Sequence, residues 1–197
     1  MNFLAHIFLS GDNQDVQVGN FIGDFVKGSN YRNYKRDVKL GILLHRNIDE
    51  YFDEIDIVRK LRRDLSSDYG RYAGVALDLI FDYYLASQFD MYHHESLGIY
   101  SESFYKNLRK ISGDFDQKVK FVGDKMIELD WLNQYASPEG MQSIAMNLER
   151  RIGRDVGFER LSETIMENND QLSLAFQLSF PEMQQFAFKK RLVLQGI

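Results

Sequence analysis

Two pairs of metal-competent side chains stand four residues apart in apolar surroundings. His45 and Asp49 lie in Leu43-Leu44-His45-Arg46-Asn47-Ile48-Asp49, and Asp78 and Asp82 in Ala76-Leu77-Asp78-Leu79-Ile80-Phe81-Asp82. On a helix, residues four apart project from one face, so each pair aims two ligands at one place. Carboxylates are rarely buried unless paired, hydrogen-bonded or metal-bound. With His6 and Asp24 upstream, the set suggests a divalent-metal centre in a helical core. Nitrogen and oxygen donors of this kind suit Mn, Fe, Zn or Mg. Arg46, beside His45, is a candidate phosphate clamp, because a guanidinium grips phosphate oxygens as a fork. Each feature has a plainer alternative. Ion-paired carboxylates and a satisfied core histidine produce the same spacing. A lone His6 between Ala5 and Ile7 is more often structural than a ligand, and Arg46 alone is an ordinary ion-pair residue.

The elements that must position these groups read as helix after helix. A short helix is expected over residues 2–9. A second, capped by Asp12, runs to about Val26 and stops at Gly28. Residues 37–53 form a third, with Val38, Ile42, Ile48, Phe52 and Ile55 as its apolar stripe; Gly41 on the His45 face would admit another backbone. Asp56 caps a fourth, and residues 71–90 make a strongly apolar fifth. His93 and His94 fall in a loop and are read as exposed. Later helices are expected over 99–111, 115–130, 138–152, 158–167 and 170–195, with a bend between Gly153 and Gly157. Phe176, Phe180, Phe186 and Phe188 read as core. No strand alternation, repeat or low-complexity tract interrupts this pattern. The expectation is one all-α domain over residues 1–197, a multi-helix bundle.

Composition narrows the function classes. The chain has 197 residues, 44% of them hydrophobic, enough for a sizeable core. Two prolines favour long helices. A formal charge of −5 argues against a general nucleic-acid binder, and an acidic partner would need a local basic patch. Arg59, Arg62 and Arg63 share one helix face and are the first docking candidate; Arg150, Arg151 and Arg154 form a second cluster. The absence of cysteine excludes disulfides and thiolate ligands. The start carries no basic region of a signal peptide, and no apolar run is long enough to span a bilayer. A cytoplasmic protein without membrane insertion is expected. No phosphate-cradling loop, nucleophile elbow or dinucleotide fingerprint is present.

The opening Met1-Asn2-Phe3-Leu4-Ala5-His6, the block Gly19-Asn20-Phe21-Ile22-Gly23-Asp24-Phe25-Val26-Lys27-Gly28, the block His45-Arg46-Asn47-Ile48-Asp49 and Leu77-Asp78-Leu79-Ile80-Phe81-Asp82 together resemble the acyl carrier protein phosphodiesterase family. Order and spacing match over the first half; the second half is similar mainly in length and helical character. The resemblance implies an all-α, HD-domain-like fold and a requirement for Mn2+ or Mg2+. It implies a reaction in which holo-acyl carrier protein, a small acidic protein of fatty acid biosynthesis, loses its 4′-phosphopantetheine arm to water. The functional set it implies is His6, Asp24, His45, Asp49, Asp78 and Asp82: His6, Asp24, His45 and Asp78 would hold the metal, and Asp49 or Asp82 would complete the sphere, orient a histidine or accept a proton from water. Two departures stand out: no adjacent His-Asp dipeptide occurs, and Tyr83 follows Asp82 where the family carries a His. Rival readings are a phosphohydrolase acting on a nucleotide or other small phosphoester, and a non-enzymatic helical module that binds an acidic carrier protein.

Overall fold

Apolar residues that recur every three to four positions make amphipathic helices, and the described residues form helices with no strand among them. The computed structural model describes residues 3–111 and 115–196. Asn2, the expected start of the first helix, lies outside them, as do the chain ends Met1 and Ile197. The order is α1 (Phe3–Leu9), α2 (Gln14–Phe21), α3 (Arg36–Glu54), α4 (Asp56–Tyr69), α5 (Ala73–Ser87) and α6 (Leu97–Ile111). It continues with α7 (Gln117–Glu128), α8 (Trp131–Gln134), α9 (Pro138–Ile152), α10 (Leu161–Glu167) and α11 (Asn169–Gln195).

Several boundaries differ from expectation, each for a local reason. Asn13 caps α2, because its Oδ1 accepts the N–H groups of Asp15 and Val16 at 3.0 and 3.2 Å. The helix ends at Phe21, and a single 3-10 turn, Gly23–Phe25, follows. Gly23 lies flat against the His45 ring, where a Cβ would stand 2.2 Å from His45 Cγ. Asp56 is the first residue of α4 rather than its cap. The apolar fifth helix is shorter than expected, flanked by 3-10 turns at Gly70–Tyr72 and Phe89–Met91. Asp130, in the left-handed region at φ 50°, separates α7 from α8. Gly157, at φ 84°, starts a 3-10 turn before α10.

The crossing of α2 and α3 does most to place the chemistry. A Cβ on Gly41 would lie 2.2 Å from the Val16 carbonyl oxygen, and one on Gly19 would lie 2.1 Å from that of Val38. The two backbones therefore touch, which sets His45 on α3 directly beside Asn20 and the turn carrying Asp24. Behind them α5 supplies buried Leu77, Leu79, Ile80, Phe81 and Leu85. The long α11 closes the other side with Phe176 and Phe180, whose rings stack at 4.9 Å. Pro181 sits inside α11 without ending it. Phe188, expected in the core, is 54% exposed, because it falls on the solvent face of α11. His93 is half-buried, with its ring 4.9 Å from Tyr100 and 4.5 Å from His94. Among the described residues, no helix is long and apolar enough to cross a membrane.

Candidate active site

His45 is buried, with a carboxylate on each side of its Nε2: Asp24 Oδ1 at 3.2 Å and Asp49 Oδ2 at 3.1 Å. A chain of hydrogen bonds fixes the tautomer. Ser10 Oγ donates to the His6 carbonyl at 2.9 Å, so it accepts from Asn20 Nδ2, also at 2.9 Å. That orients Asn20 Oδ1 toward His45 Nδ1, 3.2 Å away. Nδ1 must carry the hydrogen and donate it. The Nε2 of a neutral His45 then has only a lone pair to offer, facing two anionic oxygens. Such a nitrogen holds a proton or a metal cation, and an imidazole whose other N–H is fixed by an oxygen acceptor is the usual arrangement of a metal-bound histidine.

His6, on α1, stacks on His45 with ring centroids 4.0 Å apart. Its Nε2 lies 3.0 Å from Asp49 Oδ1, and its buried Nδ1 has no hydrogen-bond partner. His6, His45 and Asp49 can offer ligand atoms that all lie within 4.8 Å of one another. Neighbouring ligands at right angles on an ion with bonds of about 2.1 Å stand about 3 Å apart. The donor spacing and the donor chemistry therefore fit a divalent cation. Asp24 stands on the solvent side of this group, its side chain 69% exposed.

The electrostatics reflect the crowding. Burial opposes charge on His45, but the hydrogen bonds and charges of Asp24 and Asp49 outweigh it and raise its pKa to about 9. Burial and the neighbouring His45 charge lower His6 to about 4. Asp49 is well below the usual carboxylate range: burial pushes it up, but the hydrogen bonds of His45 and His6 prevail. The hydrogen bond to His45 also lowers Asp24, against burial. Of the two rings, His45 carries the charge and His6 stays neutral.

The second doublet divides. Asp82 is fully buried, and its carboxylate accepts the N–H groups of Leu4 and Ala5, both at 2.9 Å. Those are first-turn donors of α1, which have no partner within the helix. Asp82 thus anchors the helix that carries His6, and it is not among the ligand atoms of the histidine group. Burial, opposed by those two backbone bonds, raises its pKa to about 7. We expect Asp82→Asn to lose one of these bonds by turning an amide NH2 toward an N–H donor, at about 1–3 kcal/mol. In a chain of this size that lowers the melting temperature by roughly 3–8 °C. Metal binding should persist at reduced affinity. A variant that melts like the wild type but has no turnover at all would place Asp82 in the chemistry instead.

Asp78, one turn earlier, reaches a different place. It lines a cavity of about 340 Å3 together with Asp24, Lys118, Tyr135 and Arg151. Burial raises its pKa. Asp24 belongs to both the histidine group and this cavity, so the two are continuous.

The arginines are placed differently from each other. Arg46 donates to the Val26 carbonyl at 2.8 Å and lies over the Tyr31 ring at 5.4 Å. It braces the loop after Asp24. Arg59 pairs with Asp56, and Arg62 with Asp53. Residues 53–68 hold four basic side chains (Arg59, Lys60, Arg62, Arg63) against five acidic ones (Asp53, Glu54, Asp56, Asp64, Asp68), so that face has no net positive charge. The segment that leads from Asp24 into α3 does. Residues 27–39 carry Lys27, Arg32, Lys35, Arg36 and Lys39 against Asp37 alone, and Lys27, Arg32, Lys35 and Arg36 are exposed. Sequence reasoning did not single out this run, although the charge count was there to be read. Nor did it assign Asn20, Lys118 or Tyr135, whose relation to the site depends on helix crossings far apart in the chain.

Among known proteins, the family described as acyl carrier protein phosphodiesterase matches residues 1–183. The acyl carrier protein phosphodiesterase of Yersinia pestis is 36% identical over 90 residues, which cover 46% of this chain and 47% of that protein. In that match the chain spans about half the length of its relative. Proteins of the same name match over nearly their whole length. The one from Serratia proteamaculans (strain 568) is 25% identical over 193 residues, 98% of this chain and 100% of that one. The one from Photorhabdus laumondii is 27% identical over 198 residues, 96% of each. No solved structure matches this chain.

Proposed function

The chain belongs to the acyl carrier protein phosphodiesterase family, and from that premise we propose that it hydrolyses the phosphodiester between a 4′-phosphopantetheine arm and a serine of an acyl carrier protein. The observation that carries this reading is the His45 Nε2 facing both Asp24 and Asp49, with His6 stacked beside it. A cation site next to an exposed base suits hydrolysis of a phosphodiester, and this group offers donors for the one and Asp24 for the other.

His6, His45 and Asp49 would hold a divalent cation, Mn2+ or Mg2+, with Asp24 at its open edge. A cation bound there lowers the pKa of a water and polarises a phosphoryl oxygen. Asp24, exposed and kept ionised by His45, takes the proton of the attacking water. The water oxygen bonds to phosphorus, the bond from phosphorus to the serine oxygen breaks, and that oxygen leaves with a proton. Free carrier protein and 4′-phosphopantetheine are the products. Asn20 holds the His45 tautomer, and Asp82 holds α1 and with it His6. The basic segment 27–39, which starts three residues after Asp24, is the face we assign to an acidic carrier protein.

The test is mass spectrometry of holo-acyl carrier protein incubated with this protein and Mn2+. The carrier should lose the mass of the arm, and chelation should stop the loss. A carrier that binds without changing mass would replace the enzyme reading with a binding module. Mn2+-dependent cleavage of a nucleotide, with the carrier untouched, would move the substrate to small phosphoesters.

A further inference from the structure

The cavity beside Asp24 has a lining that the hydrolytic step does not use. Its walls are apolar: Phe3, Val75, Trp131, Ile144 and Leu148 contribute side chains from α1, α5, α8 and α9. Phe3 and Trp131 stack there with centroids 6.2 Å apart. Two cations, Lys118 and Arg151, two carboxylates, Asp24 and Asp78, and one carboxamide, Asn147, share the lining. Tyr135, with no exposed surface, also lines it, and its hydroxyl has no hydrogen-bond partner. A buried hydroxyl left without a partner costs about 1–3 kcal/mol, and native structures rarely tolerate one unless something outside the chain satisfies it.

We propose that this cavity is the subsite for the uncharged arm of the substrate: an extended, amide-bearing chain with a phosphate at one end. The proposal rests on the phosphodiesterase reading and specifies where the part of the substrate beyond the phosphate goes. The phosphate end lies toward Asp24 and the histidines, where Lys118 and Arg151 offset its charge. The arm runs inward along the apolar walls. Its amide groups have two places to bond, the Tyr135 hydroxyl and the Asn147 carboxamide. A volume of about 340 Å3 falls within the roughly 300–1,000 Å3 of small-molecule sites, which pair apolar walls with a few polar anchors. Bare phosphate would leave the walls and Tyr135 unused. A nucleotide base would use Trp131 and Phe3 but leave the aliphatic side chains of Val75, Ile144 and Leu148 unused.

The experiment is calorimetric titration of the full chain, with Mn2+ present, by 4′-phosphopantetheine, inorganic phosphate and AMP. Wild-type protein should bind 4′-phosphopantetheine at least tenfold more tightly than phosphate or AMP. Leu148→Trp, which fills the cavity, should remove that preference. Tyr135→Phe, which deletes one oxygen and breaks no existing hydrogen bond, should weaken the arm about fivefold to tenfold and leave phosphate unchanged. Circular dichroism and melting would report whether Leu148→Trp folds; Tyr135→Phe decides the matter if it does not. Equal affinity for phosphate and 4′-phosphopantetheine, a preference for AMP, or indifference to both substitutions would overturn the subsite. These readouts need no turnover. Cleavage of the carrier with no arm preference would refute the subsite and leave the phosphodiesterase reading standing; an arm preference without cleavage would do the reverse.

Discussion

We expect His45→Gln to abolish the proposed hydrolysis of holo-acyl carrier protein, by about 10³-fold or more, while the helical circular dichroism persists. The substitution removes the one nitrogen toward which both Asp24 and Asp49 are turned, and with it a donor to the proposed water-activating cation. Asn20→Ala is the informative companion. It leaves every donor atom in place but frees His45 Nδ1, and loss of such a supporting bond costs about 10–100-fold in metal affinity. Proton competition gives the same site a pH signature. Asp24 and Asp49 hold the pKa of His45 up at about 9 against burial, so below that pH a cation must displace a proton. Apparent Mn2+ affinity should rise about tenfold per pH unit toward pH 9 and then level off, with about one proton released at neutral pH. His6, at about 4, is already neutral and adds nothing there. Stability of the chelated protein should run the other way. The folded pKa of His45 lies above its ordinary 6.5, so its contribution is complete below 6.5 and lost as pH rises toward 9. Calorimetry in buffers of different ionisation enthalpy measures the protons. A pH-independent affinity would remove His45 from the ligand set.

On the proposed docking face, charge reversal at Lys27, Arg32 and Arg36 should raise the KM for the carrier protein about tenfold or more at low salt, with a much smaller change in kcat. Charges at the rim of an interface steer encounter and set its salt dependence rather than the chemical step. The same reversal at Arg59 and Arg63 should change KM less than twofold, since residues 53–68 hold more acid than base. The difference between the two variants should vanish at about 0.5 M salt, where screening lengths fall well below 10 Å. Equal effects of the two reversals would return the docking face to α4.

The helical class and the identity of the chemical groups were legible in the sequence because both depend on local spacing. Apolar periodicity, two prolines and the absence of strand alternation fixed an all-α chain. His45 and Asp49, one turn apart on a continuous helix, had to face one place, and they do. The conformational role of Gly41 was readable for the same reason: a glycine on an apolar helical face has few uses other than close approach. Charge balance was local as well, and the net positive run at 27–39 could have been counted. Tertiary structure alone decided the rest. Asp78 and Asp82 have the same spacing as His45 and Asp49, yet one carboxylate faces a cavity and the other caps α1, because α5 is surrounded on more than one side and its two turns meet different neighbours. Which nitrogen of His45 faces the carboxylates follows from Ser10 and Asn20, and Asn20 reaches His45 only because Gly19 and Gly41 let α2 and α3 touch. A side chain's partners across helices depend on crossing angle and backbone approach, and neither is written in the periodicity of a single segment.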